Sequence, residues 1–314
     1  MTPYEMIARL YDLGHFNNPA HPTDVTKEDL PNLQMHDKEV RTAIASYQEF
    51  MKIDFDLFAL RQHGRLGIAD GEVGPATENL LNMPRCGFPD HPYPEGIMQS
   101  AQEANWPGGC REKLRFTRNF RSLPNMSEED TDKIFHGMSN NWTYALSDVD
   151  ITNIGVNGSS PHIWAGLRSL SGSTLAWSYL AQNNCNVQLE QAYNTRTSWN
   201  LALAITVATH EVGHALGLPH NNDGDALMYP SIHNRSLARL GYPNNTDLAQ
   251  ARALGYQLSG SNPPDRNDLY KPRPHNPTPP EEPGDGEYWF SGGFTLMKGE
   301  TKVGDFILVP KPQV

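Results

Sequence analysis

His210-Glu211-Val212-Gly213-His214-Ala215-Leu216-Gly217-Leu218-Pro219-His220 is the stretch on which the reading of this chain turns. Leu201 to Thr209, just before it, is apolar and free of helix breakers, so it predicts a buried helix carrying His210 and His214. An i, i+4 spacing sets the two imidazoles on one helical face a turn apart, within reach of a single ion. Glu211 then projects beside that ion and not onto it. Gly217 tolerates positive φ, which lets the chain leave the helix sharply and swing His220 round as a third ligand. Three neutral imidazoles leave one position of a Zn2+ ion open; water there falls toward a pKa of about 7, and Glu211 is placed to take its proton as general base. A histidine pair on a helix is commonplace. The full eleven-residue pattern on an apolar helix, followed by Ala226-Leu227-Met228-Tyr229-Pro230, is not. Met228 is expected in a turn packed beneath the histidines, without ligating the metal.

Working outward, residues 1–83 read as a small helical module. Tyr4 to Leu13 and Val40 to Met51 carry apolar residues at helical spacing, and a third helix follows Gly74-Pro75, where proline suits the first turn. His91 to Gly109 is rich in Pro, Gly and small polar residues and reads as an exposed linker. From Lys113, strand-like segments (Leu114 to Phe120, Ile151 to Val156, Thr174 to Ala181) surround a helical one near Glu128 to Trp142, giving an α+β domain that ends near Tyr256. Residues 259–287 hold eight prolines, which favours extended chain. Tyr288 to Val309 alternates apolar and polar residues and suits a hairpin or docking strand. The expected partition is a prodomain at 1–90, a linker at 91–112, a catalytic domain at 113–258, a second linker at 259–287 and a C-terminal segment at 288–314.

With these motifs in hand, the sequence resembles the metzincin clan of zinc endopeptidases and, within it, the matrixins. The resemblance covers about residues 1–256. It implies an α+β zinc-protease domain, with a twisted mixed sheet and active-site and C-terminal helices, behind a small three-helix prodomain. Gly172 to Tyr179 looks like the family's substrate-facing edge, which makes Thr174, Leu175, Ala176, Trp177 and Pro230 substrate-binding candidates. Asn245 to Tyr256 looks like its closing helix. Pro84-Arg85-Cys86-Gly87-Phe88-Pro89-Asp90 is very close to the family's cysteine-switch motif. The resemblance implies that the Cys86 thiolate takes the open zinc position in a latent form while Arg85 and Asp90 pair to hold the loop; a thiolate is a strong zinc ligand, so the chemistry agrees. The alternative, a structural thiol beside an ordinary ion pair, suits the motif's place between helical module and zinc domain less well. Gly71 to Thr77 looks like part of a peptidoglycan-binding-type fold. The sequence also departs from the family: Trp177 stands where many matrixins have a histidine of a structural zinc site, predicting one zinc only. Pro230-Ser231-Ile232 lacks the usual tyrosine of the specificity wall, and Asn221 replaces the usual serine after the third ligand.

A formal net charge of -11 over 314 residues argues against nucleic acid and anionic membranes as partners, since phosphate surfaces recruit Lys and Arg clusters. No run of about 18 apolar residues, the length a membrane span needs, appears in the sequence. Three cysteines, Cys86, Cys110 and Cys185, leave one thiol over; Cys110 and Cys185 read equally as a disulfide or as two buried thiols. Ca2+ stays open as a second ion, because Asp223 and Asp225 serve equally as turn residues. The start of the chain lacks a secretory pattern, so extracellular action implies a removed signal or another route. A protein or peptide substrate is expected. A competing reading makes the chain a virion or cell-wall component, with the N-terminal module on peptidoglycan and the C-terminal segment docked to a larger assembly; a third keeps the site permanently inert.

Overall fold

The structure is a computed structural model describing residues 1–91 and 105–272, with the strand residues 297–298, 301–303 and 306–307. The chain forms two units, Met1–Arg273 and Pro274–Val314. The expected linker before Gly109 lies largely outside the described residues, as does most of the proline-rich stretch.

The first unit begins with α1 (Pro3–Asp12), opened by a capping box in which Thr2 accepts from the Glu5 N–H and Glu5 answers the Thr2 N–H. Next come α2 (Lys38–Phe50), α3 (Lys52–His63) and α4 (Pro75–Asn82), which starts on proline as anticipated. Helix α3 adds to the three helices read from sequence. Its apolar residues do not form one stripe, for Phe55 and Ala59 face the core while Ile53, Leu57 and Leu60 are exposed. A core of Ile7, Leu10, Phe16, Val40, Ile44 and Tyr47 binds the module together.

After α5 (Gly108–Arg111) the protease-type domain follows as β1 (Leu114–Arg118), α6 (Glu128–Ala145), β2 (Ile151–Val156), β3 (Ile163–Arg168), β4 (Ala176–Ser178), β5 (Leu189–Asn194), α7 (Leu201–Ala215), α8 (Asn234–Ala238) and α9 (Asn245–Ala253). The sheet order is β2-β1-β3-β5-β4, parallel throughout except for the antiparallel edge β4. Helices α6 and α7 pack on one another, and α7 also lies against β4. Trp142 of α6 donates to the Thr209 carbonyl of α7 at 2.8 Å, locking the pair at the level of the histidines. This mixed α/β architecture is the one expected for the zinc-protease domain. Strands β3 and β5 escaped the sequence reading, because Gly166 in one and Glu190, Gln191 and Asn194 in the other break the apolar pattern.

The edge segment expected over Thr174 to Ala181 contributes only three residues to the sheet. Thr174 and Leu175 pair instead with Arg85. Past Tyr256 the chain stays on the domain: α10 (Arg266–Leu269) buries Leu269, and Asn140 of α6 donates to the Leu269 and Lys271 carbonyls. Cys110 and Cys185 form a disulfide with Cα atoms 5.7 Å apart, tying α5 to the connection between β4 and β5, and Cys86 is the free thiol. In the second unit β6 (Met297–Lys298), β7 (Thr301–Val303) and β8 (Phe306–Ile307) pair antiparallel in sequence order.

Candidate metal centre

Helix α7 starts where the Asn200 side chain accepts from the Leu203 N–H, and every residue from Ala204 to Ala215 is buried. It ends as its sequence demands. Gly217 adopts φ 97°, in the left-handed region that favours glycine, while Leu218 N–H returns to the Gly213 carbonyl at 2.9 Å. That turn carries the chain back to bring His220 opposite His210 and His214. Gly213 itself is required by the turn below: a Cβ there would overlap Met228 Sδ, so the buried Met228 packs directly under the helix.

The three Nε2 atoms lie 3.1 Å (His210–His214), 3.2 Å (His210–His220) and 3.3 Å (His214–His220) apart. Their other nitrogens fix the tautomers. His210 Nδ1 donates to the Leu227 carbonyl at 2.6 Å, and His214 Nδ1 donates to the Leu218 carbonyl at 2.7 Å. His220 Nδ1 meets Asp90 Oδ1 at 2.8 Å. A carbonyl or carboxylate oxygen can only accept, so each Nδ1 carries the proton and each Nε2 presents a lone pair. Burial keeps all three rings neutral, pushing His210 down to about 3 and His214 and His220 below their ordinary value. Three lone pairs in contact without a proton among them repel; the arrangement makes sense only around a cation.

The spacing selects the ion. Tetrahedral zinc with Zn–N of about 2.0–2.1 Å separates its nitrogens by about 3.3–3.4 Å, and with Zn–S of about 2.3 Å a sulfur stands about 3.5 Å from each nitrogen. Cys86 Sγ lies 3.5 Å from His214 Nε2, and the four donor atoms of Cys86, His210, His214 and His220 fall within 4.8 Å of one another, all buried. The residues therefore fit zinc with three imidazoles and one sulfur. Burial first, and then the Glu211 charge, pushes the Cys86 thiol well above its ordinary value; a cation in the cradle inverts that preference, since a coordinating thiol is deprotonated.

Glu211 is fully buried; its carboxylate faces the Cys86 thiol and has no other hydrogen-bond partner among the described residues. Burial pushes its carboxyl up to about 8. A buried carboxyl held this far above its ordinary value beside a cradle for a cation departs from the usual pairing of buried polar groups.

The segment bearing Cys86 lies in the cleft like an added strand. Arg85 N–H donates to the Ser173 carbonyl, Leu175 N–H to the Arg85 carbonyl, Gly87 N–H to the Ala176 carbonyl and Cys86 N–H to the Pro230 carbonyl, all between 2.8 and 3.1 Å. Thr174, Leu175, Ala176 and Pro230 thus lie against the segment that carries Cys86, and Trp177 stands beside it, its Cβ 3.5 Å from where a Cβ on Gly87 would sit. Phe88 stacks on the His214 ring with centroids 4.0 Å apart. Arg85 and Asp90 pair at 2.5 Å, both fully buried. Burial alone would raise the Asp90 carboxyl; Arg85 and the contacts to His15 and His220 overcome it and hold the group well below the usual carboxylate range.

Three contributors went unread. His15 Nε2 contacts Asp90 Oδ2 at 2.9 Å, tying the loop that carries Cys86 to the helical module. Asp247 of α9 accepts from the Leu227 and Met228 N–H groups, so it shapes the turn whose carbonyl orients His210. Asp54 of α3 reaches across to Tyr229, Ser231 and His233. Each is a lone polar residue whose partner is far away in sequence, a signal that spacing cannot carry. Asp223 and Asp225, the calcium candidates, have protein partners: Asp223 accepts from Thr246 Oγ1 and the Asp225 N–H, and Asp225 pairs with Arg235.

Comparison with known proteins adds an independent line. The family described as matrixin matches residues 123–254. Human neutrophil collagenase is 26% identical over 232 residues, covering 66% of this chain and 44% of that protein. The metalloendoproteinase 4-MMP of Arabidopsis thaliana is 22% identical over 278 residues, 77% of each chain. Matrix metalloproteinase-A of Caenorhabditis elegans is 28% identical over 179 residues, 51% of this chain and 33% of that protein. The chain thus spans under half the length of the human and nematode relatives.

Proposed function

We propose that this chain, whose residues 123–254 match the matrixin family, is a zinc endopeptidase held latent by its own N-terminal segment. The observation that carries the reading is Cys86 Sγ at the fourth corner of the histidine cradle. Zinc held by His210, His214 and His220 supplies Lewis acidity toward a scissile carbonyl and toward water.

The chain's own residues do the rest. The groups that now bind Arg85, Cys86 and Gly87, namely the Ser173, Ala176 and Pro230 carbonyls and the Leu175 N–H, are those an extended peptide uses when it adds to a sheet edge. Glu211, buried and facing the place that Cys86 fills, accepts the proton of the attacking water and returns it to the leaving amine. Arg85, Asp90 and His15 hold the plug: the switch loop is anchored on buried charge, so it leaves only when the helical module is disturbed or cut away. The Cys110–Cys185 disulfide supports action in an oxidising space outside the cell, and no helix among the described residues is long and apolar enough to cross a membrane.

The test compares the untreated full chain, the full chain treated with an organomercurial, and a Cys86→Ser variant, on casein. Negligible cleavage by the first and strong cleavage by the other two is expected. Equal cleavage by all three removes latency; no cleavage by any removes the endopeptidase reading.

A further inference from the structure

Tyr229, Ser231 and His233 occupy alternate positions of the segment that follows the turn beneath the metal site. Period-2 spacing sends alternate side chains of an extended segment to one side. Tyr229 Oη and Ser231 Oγ each donate to Asp54 Oδ2 at 3.0 Å, and His233 Nε2 stands 3.3 Å from the same oxygen. Asp54 is 3% exposed, Tyr229 1% and Ser231 2%. The Tyr229 and His233 rings meet edge to face with centroids 4.9 Å apart, which steadies the group from within the same segment. A carboxylate this deeply buried persists only where donors are already aimed at it, and here the protease-type domain provides them while the helical module provides the acid.

The location gives this cluster its meaning. Pro230, between Tyr229 and Ser231, accepts from the Cys86 N–H, and Ser231 bridges antiparallel to Arg85. Cys86 Sγ is one of the four grouped donor atoms, so the receptor's own segment runs beside the cleft, about one or two residues of roughly 3.3 Å each from the place where a scissile bond would lie.

We infer that Tyr229, Ser231 and His233 form a carboxylate-binding subsite, filled by Asp54 in the latent chain and, once the helical module departs, by an Asp or Glu side chain of the substrate close to the scissile bond. The inference rests on the endopeptidase reading above and names the substrate class for that cleft. The latent segment imitates substrate twice: its backbone takes the place of the peptide, and Asp54 takes the place of an acidic side chain. When an amide replaces the acid, part of this buried donor set loses its charged acceptor, and a site built to hydrogen-bond one group discriminates against the analogue lacking it.

Two measurements decide it. In the first, the opened and separated enzyme is given peptides carrying Asp or Glu, against Asn or Gln, at each of three positions on either side of the cleaved bond. At one position the acid is expected to exceed the amide about tenfold in kcat/KM, and in Ser231→Ala and Tyr229→Phe enzymes that ratio falls toward one. A ratio near one at every position, or one that both substitutions leave intact, overturns the inference. In the second, full-length Asp54→Ala is melted with and without sodium acetate, matched against sodium chloride. Acetate should raise its melting temperature by several degrees more than that of the unsubstituted chain, by refilling the vacated receptor. No acetate-specific rise overturns the carboxylate site itself. Because melting needs no turnover, a failure of the endopeptidase reading shows as absent cleavage in the first arm and leaves the second decisive.

Discussion

Asp90 Oδ1 accepts from His220 Nδ1 at 2.8 Å and receives Arg85 Nη2 at 2.5 Å, so one carboxylate both steers a metal-ligating ring and anchors the loop that carries Cys86. Loss of the N-terminal segment therefore removes a sulfur ligand and, separately, the partner of a histidine ligand. Carboxylate partners of ligating histidines typically contribute 10–100-fold in metal affinity. In a Cys86→Ala background, where the sulfur no longer contributes, Asp90→Asn should weaken zinc binding about tenfold, read by competition with a chelator. An unaltered affinity would show that Asp90 serves only the Arg85 pair.

Asp54 holds the wall of the cleft from the other module, through three contacts to one oxygen. Hydrogen bonds to a buried charged group contribute about 1.5–3 kcal/mol, so their loss should let the plug leave about 10–100 times more often. Asp54→Asn in the full-length chain, which keeps side-chain volume, is expected to raise the reaction rate of Cys86 with a thiol reagent by that factor. A rate equal to that of the unsubstituted chain would mean that the 229–233 contact does nothing for latency.

What could be read from sequence divides along a physical line. The histidine cluster was legible because its spacing is local: an i, i+4 step from His210 to His214, a glycine at Gly217, then His220 three positions later, with helix geometry fixing where the rings point. Pro84 to Asp90 stood out for the same reason, being seven consecutive residues. Helix α3 and strands β3 and β5 were not, because polar groups buried by tertiary packing, such as Asp54 and Gln191, spoil the periodicity that marks an element. Asp247 and His15 were invisible because they act through backbone groups or carboxylates distant in sequence. The shortened strand β4 follows from competition, since the edge read as substrate-binding already pairs with Arg85.

The Cys110–Cys185 disulfide closes a loop of 75 residues that contains most of the sheet. Closing a loop of this size stabilises by about 2–4 kcal/mol, by restricting the unfolded chain. A Cys110→Ala/Cys185→Ala protein should lose about that much in denaturant unfolding, with Cys86 still protected from thiol reagents in the native state. Loss of Cys86 protection at the same time would show that the rim between β4 and β5 also supports the plug.

Glu211 faces two demands. Beside the histidines it is, among the described residues, the buried carboxylate without a protein partner other than Cys86, and under the proposed mechanism it should contribute about 10²–10⁴ in rate as general base. Glu211→Gln keeps its volume and touches none of the Nδ1 contacts that orient the ligands, so turnover should fall by that factor with zinc retained. In the full chain the same carboxylate stands against the Cys86 sulfur, two like charges in a dry space once the thiol ionises. Removing the charge should therefore hold the sulfur more firmly and slow the reaction of Cys86 with a thiol reagent. A variant that loses turnover while its thiol reacts faster would place Glu211 among the supports of the plug, and the repulsion argued from its burial would be wrong.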